Sequence, residues 1–406
     1  MTDLDLNVKY ARRKVKLDDI GDTEFLDHFK VIVDSDVQKK QKYTNLGFIS
    51  AKIELSLNFV RRLRLIQYFK DVPRVLSVPV RAPVFVMGLP RTGTTFLHRL
   101  LSLDPAVRSP LLWELLNPVP EPTDYDTQTK EFEADAKKRS KFIKNIIKSR
   151  KQMGDHALDH IHEIEYDLPE ECLMGLSDSM PVMLQYIYSN YMNIREYVKL
   201  DSTKAYEGYK NMLKLLSYQI GEEKSPRKWM LKCPIHLFYI KQIEKVFPDA
   251  QLLWTHRHPV SAVPSLCSLI EGFHHVYYEP DQCDHHALGK ELCSSTGDIL
   301  NKASKDMEES NLTCGHVVYN ELVKNPVETV KKIYKQMGWS FTPEYERIMA
   351  DYLEENNKKR KEVSEKTKGA SLHHYTPELY GLTENELCVG PYADYIQKFS
   401  VPMSKN

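Results

Sequence analysis

The feature that most constrains this chain is a strand-like run that breaks into a glycine loop and resumes as a helix. Ala82 to Met87 is a short apolar run rich in β-formers. Gly88-Leu-Pro-Arg-Thr-Gly-Thr-Thr95 closes it, and Phe96, Leu97, Leu100 and Leu101 follow at helical spacing. Gly88 and Gly93 have the separation of G-x-x-x-x-G-K-[ST], and Thr95 stands at its Ser/Thr position. Backbone N–H groups in such a loop, with the helix N-terminus behind them, form an anion cradle. One position departs: Thr94 replaces the lysine, and the only cation in the loop is Arg91.

The same texture recurs downstream. Trp229–Lys232, Ala250–Arg257 and His316–Tyr319 read as further strands. Helical patterns fill the gaps: one runs from Ile235 to Phe247, one opens at Pro259, and one runs from Val327 to Met337 and stops at Gly338. Strands alternating with helices predict an α/β fold, a P-loop-like three-layer sandwich with a central parallel sheet and helices on both faces. Residues 1–80 read as a helical N-terminal arm, 81–340 as the α/β core, and 341–406 as a C-terminal helical cap and loop. The basic clusters at Arg12–Lys16 and Arg61–Arg64 read as solvated helix faces.

Charge sharpens this. Lys plus Arg total 56 and Asp plus Glu total 56, so the net charge is zero. Non-specific nucleic-acid binding relies on surplus positive charge and is not expected. Any anion must therefore be held by local geometry. Arg257 leaves its strand just before Pro259 opens a helix, and Ser265 follows eight residues after Arg257. That offset places a guanidinium and a hydroxyl at the carboxyl end of the sheet, where ligands of open α/β sheets bind. Two separate anion sites suggest one nucleotide carrying two separate phosphate groups. A nucleotide kinase or NTPase would want the P-loop lysine and a strand-end acid for magnesium. Here the candidate strand ends in Thr255-His-Arg257.

At this point the sequence resembles the sulfotransferase superfamily, which uses 3′-phosphoadenosine 5′-phosphosulfate. Pro90-Arg-Thr-Gly-Thr-Thr95 resembles its 5′-phosphosulfate loop in the arginine form of the tyrosylprotein and bacterial-type branches. Arg257 and Ser265 resemble its 3′-phosphate pair. The likeness continues through Ser109–Leu116, Leu168–Cys172, Leu231–Leu237, Tyr319–Pro326 and His374–Leu382, so it spans roughly residues 80 to 400 and is strongest to the bacterial-type group. It implies a phosphosulfate nucleotide held by Pro90, Arg91, Thr92, Gly93, Thr94, Thr95, Arg257 and Ser265, with Tyr319 contacting adenine. It implies that Arg91 and Lys232 steady the transferring group. For the base, Glu114 resembles the glutamate of the tyrosylprotein and heparan branches, and His236 competes with it. The Lys232-x-x-x-His236 spacing departs from the Lys-x-His of the small-molecule branch. Lys366 and Lys368 are a loose match to that branch's C-terminal Arg-Lys-Gly and read better as a solvated loop.

The reaction so implied moves a sulfuryl group to a hydroxyl or amine by in-line displacement. A nucleotide kinase or a non-catalytic relative is the competing reading. No apolar stretch of about 18 residues occurs, so no membrane span is expected. Seven cysteines without a C-x-x-C, and no signal-peptide run, point to reduced thiols in the cytoplasm. No metal is expected: His156 and His160 share a spacing of four but lack the H-E-x-x-H pattern. His274-His275 and His285-His286 read as flanks of a surface loop, and Met180–Tyr197 as helical core. A small-molecule acceptor in the cytoplasm is the expectation, and a homodimer is left open.

Overall fold

The computed structural model describes residues 4–39, 42–121, 130–152, 165–181, 198–222, 226–279, 283–366 and 375–403. Five strands form its sheet: β1 Val84–Gly88, β2 Val107–Arg108, β3 Lys228–Lys232, β4 Gln251–His256 and β5 Thr313–Val318. They lie in the order β2-β3-β1-β4-β5, and every pair is parallel.

Parallel strands are covered on both faces, so they read as unbroken apolar runs. In β1, Val84, Phe85, Val86 and Met87 are all fully buried. Their alternation sorts them into two cores. Val84 and Val86 join Leu97, Leu100, Val330 and Ile333 on one face. Phe85 and Met87 join Leu213, Ile243, Val263 and Leu300 on the other. Helices Thr94–Leu101 and Pro326–Met337 thus cover the first face. Helices Thr203–Gln219, Ile240–Val246, Pro259–Tyr277 and His285–Glu309 cover the second. The three-layer α/β sandwich is the observed fold.

The strand order creates a switch point. From β1 the chain leaves toward β2 on one side, and from β4 it leaves toward β5 on the other. The loops after β1 and β4 therefore diverge and leave a crevice above the carboxyl ends of these neighbouring strands, where ligands of open α/β sheets bind.

Four details differ from the sequence expectations. The β2 edge strand has two residues, too few to show a period. The expected 235–247 helix is two pieces, a 3₁₀ turn Pro234–Phe238 and a helix Ile240–Val246, broken at Tyr239 with φ −125° and ψ 31°. The last strand stops at Val318, and Tyr319 opens the helix Tyr319–Lys324. The Arg61–Arg64 cluster is not a solvated face. Arg61 donates to the Ser177 hydroxyl at 2.7 Å and faces Asp178. Arg62 donates to the Ile20 carbonyl at 2.8 Å and to Ser179 Oγ at 2.7 Å. Buried cations need such acceptors, and these fasten the helix Asn45–Asp71 to the body of the protein. The core on the second face of the sheet takes in residues from Val8 to Val401.

Candidate functional site

The loop after β1 is shaped by what surrounds it. A Cβ at Gly88 would lie 2.3 Å from Thr255 Oγ1 on β4, so only glycine fits. Thr92 then stitches the loop shut: its hydroxyl donates to the Leu89 carbonyl at 2.6 Å and lies 2.6 Å from the Thr255 hydroxyl. The Thr92 side chain, fully buried, is thereby engaged within the protein and leaves its backbone for a ligand. Arg91 adopts a left-handed φ of 69°, which a non-glycine residue holds only when its surroundings impose it. Gly93, φ 88°, precedes the helix Thr94–Leu101, and a Cβ there would come within 2.9 Å of the Tyr319 ring. The loop bends at Gly93 into the helix, whose first turn begins with Thr94 and Thr95.

The second motif meets the first. Arg257, one residue past β4, donates through Nη1 to the Arg91 carbonyl at 2.9 Å. Arg91 Nε donates to the Ser265 hydroxyl at 3.1 Å. The Arg257 guanidinium also lies 4.4 Å over the Tyr319 ring. Arg91, Arg257, Ser265 and Tyr319, separated by up to 228 residues of chain, form one cluster at the switch point. Burial holds Arg257 below the ordinary arginine range, and the charge of Arg91 pushes the same way. Among the described residues no carboxylate is paired with Arg257, and its buried Nε has no partner.

A second corner lies at the end of β3. Lys232 is buried, and its Nζ pairs with Glu171 Oε1. Nearby, Arg108 Nη2 donates to Glu114 Oε1 at 2.6 Å, and the Leu111 N–H donates to Glu114 Oε2 at 2.9 Å. Both Glu114 oxygens are thus engaged, in the first turn of the helix Leu112–Leu116. Arg108 is itself fixed, donating to the Leu216 carbonyl at 2.8 Å and lying 4.6 Å over Trp229. The stretches bearing Glu114 and Glu171 run side by side: the Glu170 N–H donates to the Pro110 carbonyl at 3.0 Å and the Leu112 N–H to the Leu168 carbonyl at 3.1 Å.

His236 has a different setting. It is fully buried beneath the sheet end, with Nδ1 hydrogen-bonded to the Tyr206 hydroxyl at 2.8 Å and its ring packed edge-on against Phe85 at 4.9 Å. Burial, then the charge of Lys232, pushes its pKa down to about 3. Its Nε2, also buried, has no hydrogen-bond partner among the described residues.

A model of the sulfotransferase family matches residues 83–343, which include both corners. The chain belongs to the sulfotransferase family. It is similar to the omega-hydroxy-beta-dihydromenaquinone-9 sulfotransferase Stf3 of Mycobacterium tuberculosis, 24% identical over 281 residues, 67% of this chain and 68% of that one. In fold it resembles the crystal structure of sulfotransferase STF9 from Mycobacterium avium, with a TM-score of 0.79 and 24% identity, over 100% of this chain and 99% of that one. Sulfotransferase STF1 from Mycobacterium tuberculosis H37Rv gives a TM-score of 0.74 and 24% identity over 96% and 98% of the two chains. The chain is accordingly an enzyme, a transferase.

Within this sulfotransferase, the residues that the sequence missed are Glu171 and Arg108. Glu171 lies within Leu168–Cys172, and no local pattern marks it, because its partner Lys232 is 61 residues away. Arg108 sits on the two-residue β2, whose position beside β3 no local pattern shows. Lys366 ends the helix Pro343–Lys366, while Lys368 lies outside the described residues. So do His156, His160 and the 182–197 part of the Met- and Tyr-rich stretch. His285 opens the helix His285–Glu309 and contacts Glu271 at 2.9 Å. No cluster of three metal-ligating side chains occurs among the described residues. None of their helices is long and apolar enough to cross a membrane.

Proposed function

We propose that this sulfotransferase uses 3′-phosphoadenosine 5′-phosphosulfate as donor and a small-molecule hydroxyl as acceptor. The observation that carries the donor assignment is the meeting of Arg91 and Arg257 at the switch point, with no carboxylate paired to Arg257 among the described residues. The charge of Arg91 disfavours that of Arg257, whose guanidinium is tied to the Arg91 backbone, and an anion bound between the two side chains relieves that repulsion. In this reading the loop Pro90–Thr95 and Arg91 hold the 5′-phosphosulfate. Arg257 and Ser265 hold the 3′-phosphate. Tyr319 backs the Arg257 guanidinium by cation–π contact, in addition to the adenine contact that the family resemblance implies.

Bound there, the donor supplies the sulfuryl group for displacement at sulfur. Lys232, at the end of β3 beside the loop, steadies the charge that develops on the leaving oxygen. Of the two candidate bases, Glu114 suits the acceptor proton better than His236, whose neutral ring is buried in the core. To take the acceptor proton, Glu114 must release one of its oxygens from Arg108 or from the Leu111 N–H. The name of the Stf3 relative, a sulfotransferase of a menaquinone derivative, supports a small apolar alcohol as acceptor. All seven cysteines are free, which supports a reducing compartment such as the cytoplasm.

Calorimetric titration with 3′-phosphoadenosine 5′-phosphate, without magnesium and with ADP as control, tests this. Wild type should bind the bisphosphate far more tightly than ADP. Arg257→Ala should lose about 2–4 kcal/mol of that binding, as when one partner of a buried charge pair is removed. Equal binding of ADP, or a magnesium requirement, would return the loop to the NTPase class.

A further inference from the structure

Lys232 has 1% of its side chain exposed, so its ammonium requires a counter-charge within the protein. Glu171 provides it, and the backbone builds the contact. The Cys172 N–H donates to the Lys232 carbonyl at 2.9 Å, which lays the Glu171 side chain against that of Lys232. The second Glu171 oxygen accepts from Cys233 Sγ at 3.6 Å. The other titratable groups that sense Lys232 are His98, His236, Cys172 and Cys233, whose burial disfavours their charged forms, so none of them replaces the carboxylate; Glu170 also acts on His98. The two partners differ in one respect: Glu171 is 16% exposed and so has a route to solvent, while Lys232 has almost none.

We propose that Glu171 is a positioning residue for sulfuryl transfer, which holds Lys232 at the end of β3 until the sulfuryl oxygens of the donor displace it. The inference rests on the donor proposed above. A sulfuryl group arriving at Lys232 would set two negative charges on one ammonium. The partly exposed carboxylate is the one that can turn away. Lys232 is thereby kept in place in the absence of donor. No bond is made or broken in the exchange. It makes donor binding weaker than it would be with a neutral partner, and it makes that weakening specific to the sulfuryl group.

The test compares two ligands by calorimetry: the phosphosulfate, and the bisphosphate that lacks the sulfuryl group. Glu171→Gln should bind the phosphosulfate roughly tenfold more tightly than wild type, the scale of one hydrogen bond to a charged group. Its bisphosphate affinity should not change, and its donor KM should fall with the affinity. The gain should vanish in Lys232→Met/Glu171→Gln, which leaves a neutral pair. Should Glu171→Gln fold poorly, Glu171→Asp, charged but one methylene shorter, should show a smaller tightening. Unchanged or weaker phosphosulfate binding in a folded Glu171 variant would overturn the proposal. Wild type binding neither ligand would instead overturn the donor assignment on which it rests.

Discussion

The two corners of the site handle positive charge in opposite ways. At the switch point Arg257 is stacked on Tyr319 and donates to the backbone of Arg91, itself a cation. At the end of β3 each cation carries its own carboxylate: Lys232 has Glu171, and Arg108 has Glu114. In the proposed reading the first corner receives an anion and gains stability when one arrives. The second is already neutral, so an anion entering it must compete. That contrast separates holding a nucleotide from acting on it, and it predicts that substitutions in the two corners will affect different measurements.

The largest expected effect lies in the neutral corner. Arg108→Ala leaves the Glu114 carboxylate buried without its cation, which should cost about 3–5 kcal/mol of stability, read by denaturant unfolding. A loss under 1 kcal/mol would mean that Glu114 is less enclosed than its 6% exposure indicates. At the switch point, Arg257→Ala should instead weaken bisphosphate binding and barely move the unfolding midpoint. If it destabilised the protein as much as Arg108→Ala, the contrast between the corners would fail.

Acid should act through the buried histidines, His98 and His236 near the second corner and also His256 at the end of β4, which burial holds well below the ordinary value. His98 and His236 are both pushed from the ordinary 6.5 down to about 3, mainly by burial. Below about pH 6.5 the unfolded chain takes up protons that the folded chain refuses, so stability rises with pH. It is fully present above about 6.5 and is lost as pH falls toward 3, at about 1.4 kcal/mol per pH unit for each histidine. Unfolding at pH 7 and pH 5.5 measures this, and equal stabilities would show that these rings reach solvent. The smallest expected effect is that of Tyr319→Leu, which removes the platform under Arg257. Bisphosphate affinity should drop by about 0.5–2 kcal/mol with no change in stability.

Much of this was legible because it is local. The loop from Gly88 to Thr95, its strand and its helix follow one another in the chain, so their spacing alone carried the anion cradle. Arg257 and Ser265 lie eight residues apart and were found the same way. The helix end at Gly338 was also visible, because a left-handed residue with φ 69° closes it. The errors came where distant chain decided the outcome. The Arg61–Arg64 cluster looked solvated until the structure set Ser177, Asp178 and Ser179 against it. Tyr319 was read as a strand end, although the strand stops one residue sooner.

What the sequence determined by itself, then, was the alternation of buried strands and amphipathic helices, and the two turns, after β1 and β4, that carry Arg91 and Arg257. Those depend on periodicity and on backbone freedom, which are properties of a few consecutive residues. Only the tertiary structure decided which charges meet. The strand order brings β1 and β4 together, and with them Arg91 and Arg257. The contacts of 110–113 with 166–170 bring the Glu114 and Glu171 stretches together, the Cys172–Lys232 backbone bond sets Glu171 against Lys232, and burial closes His236 away from solvent. Electrostatic roles depend on distance and desolvation, and neither is written in the spacing of residues along a chain.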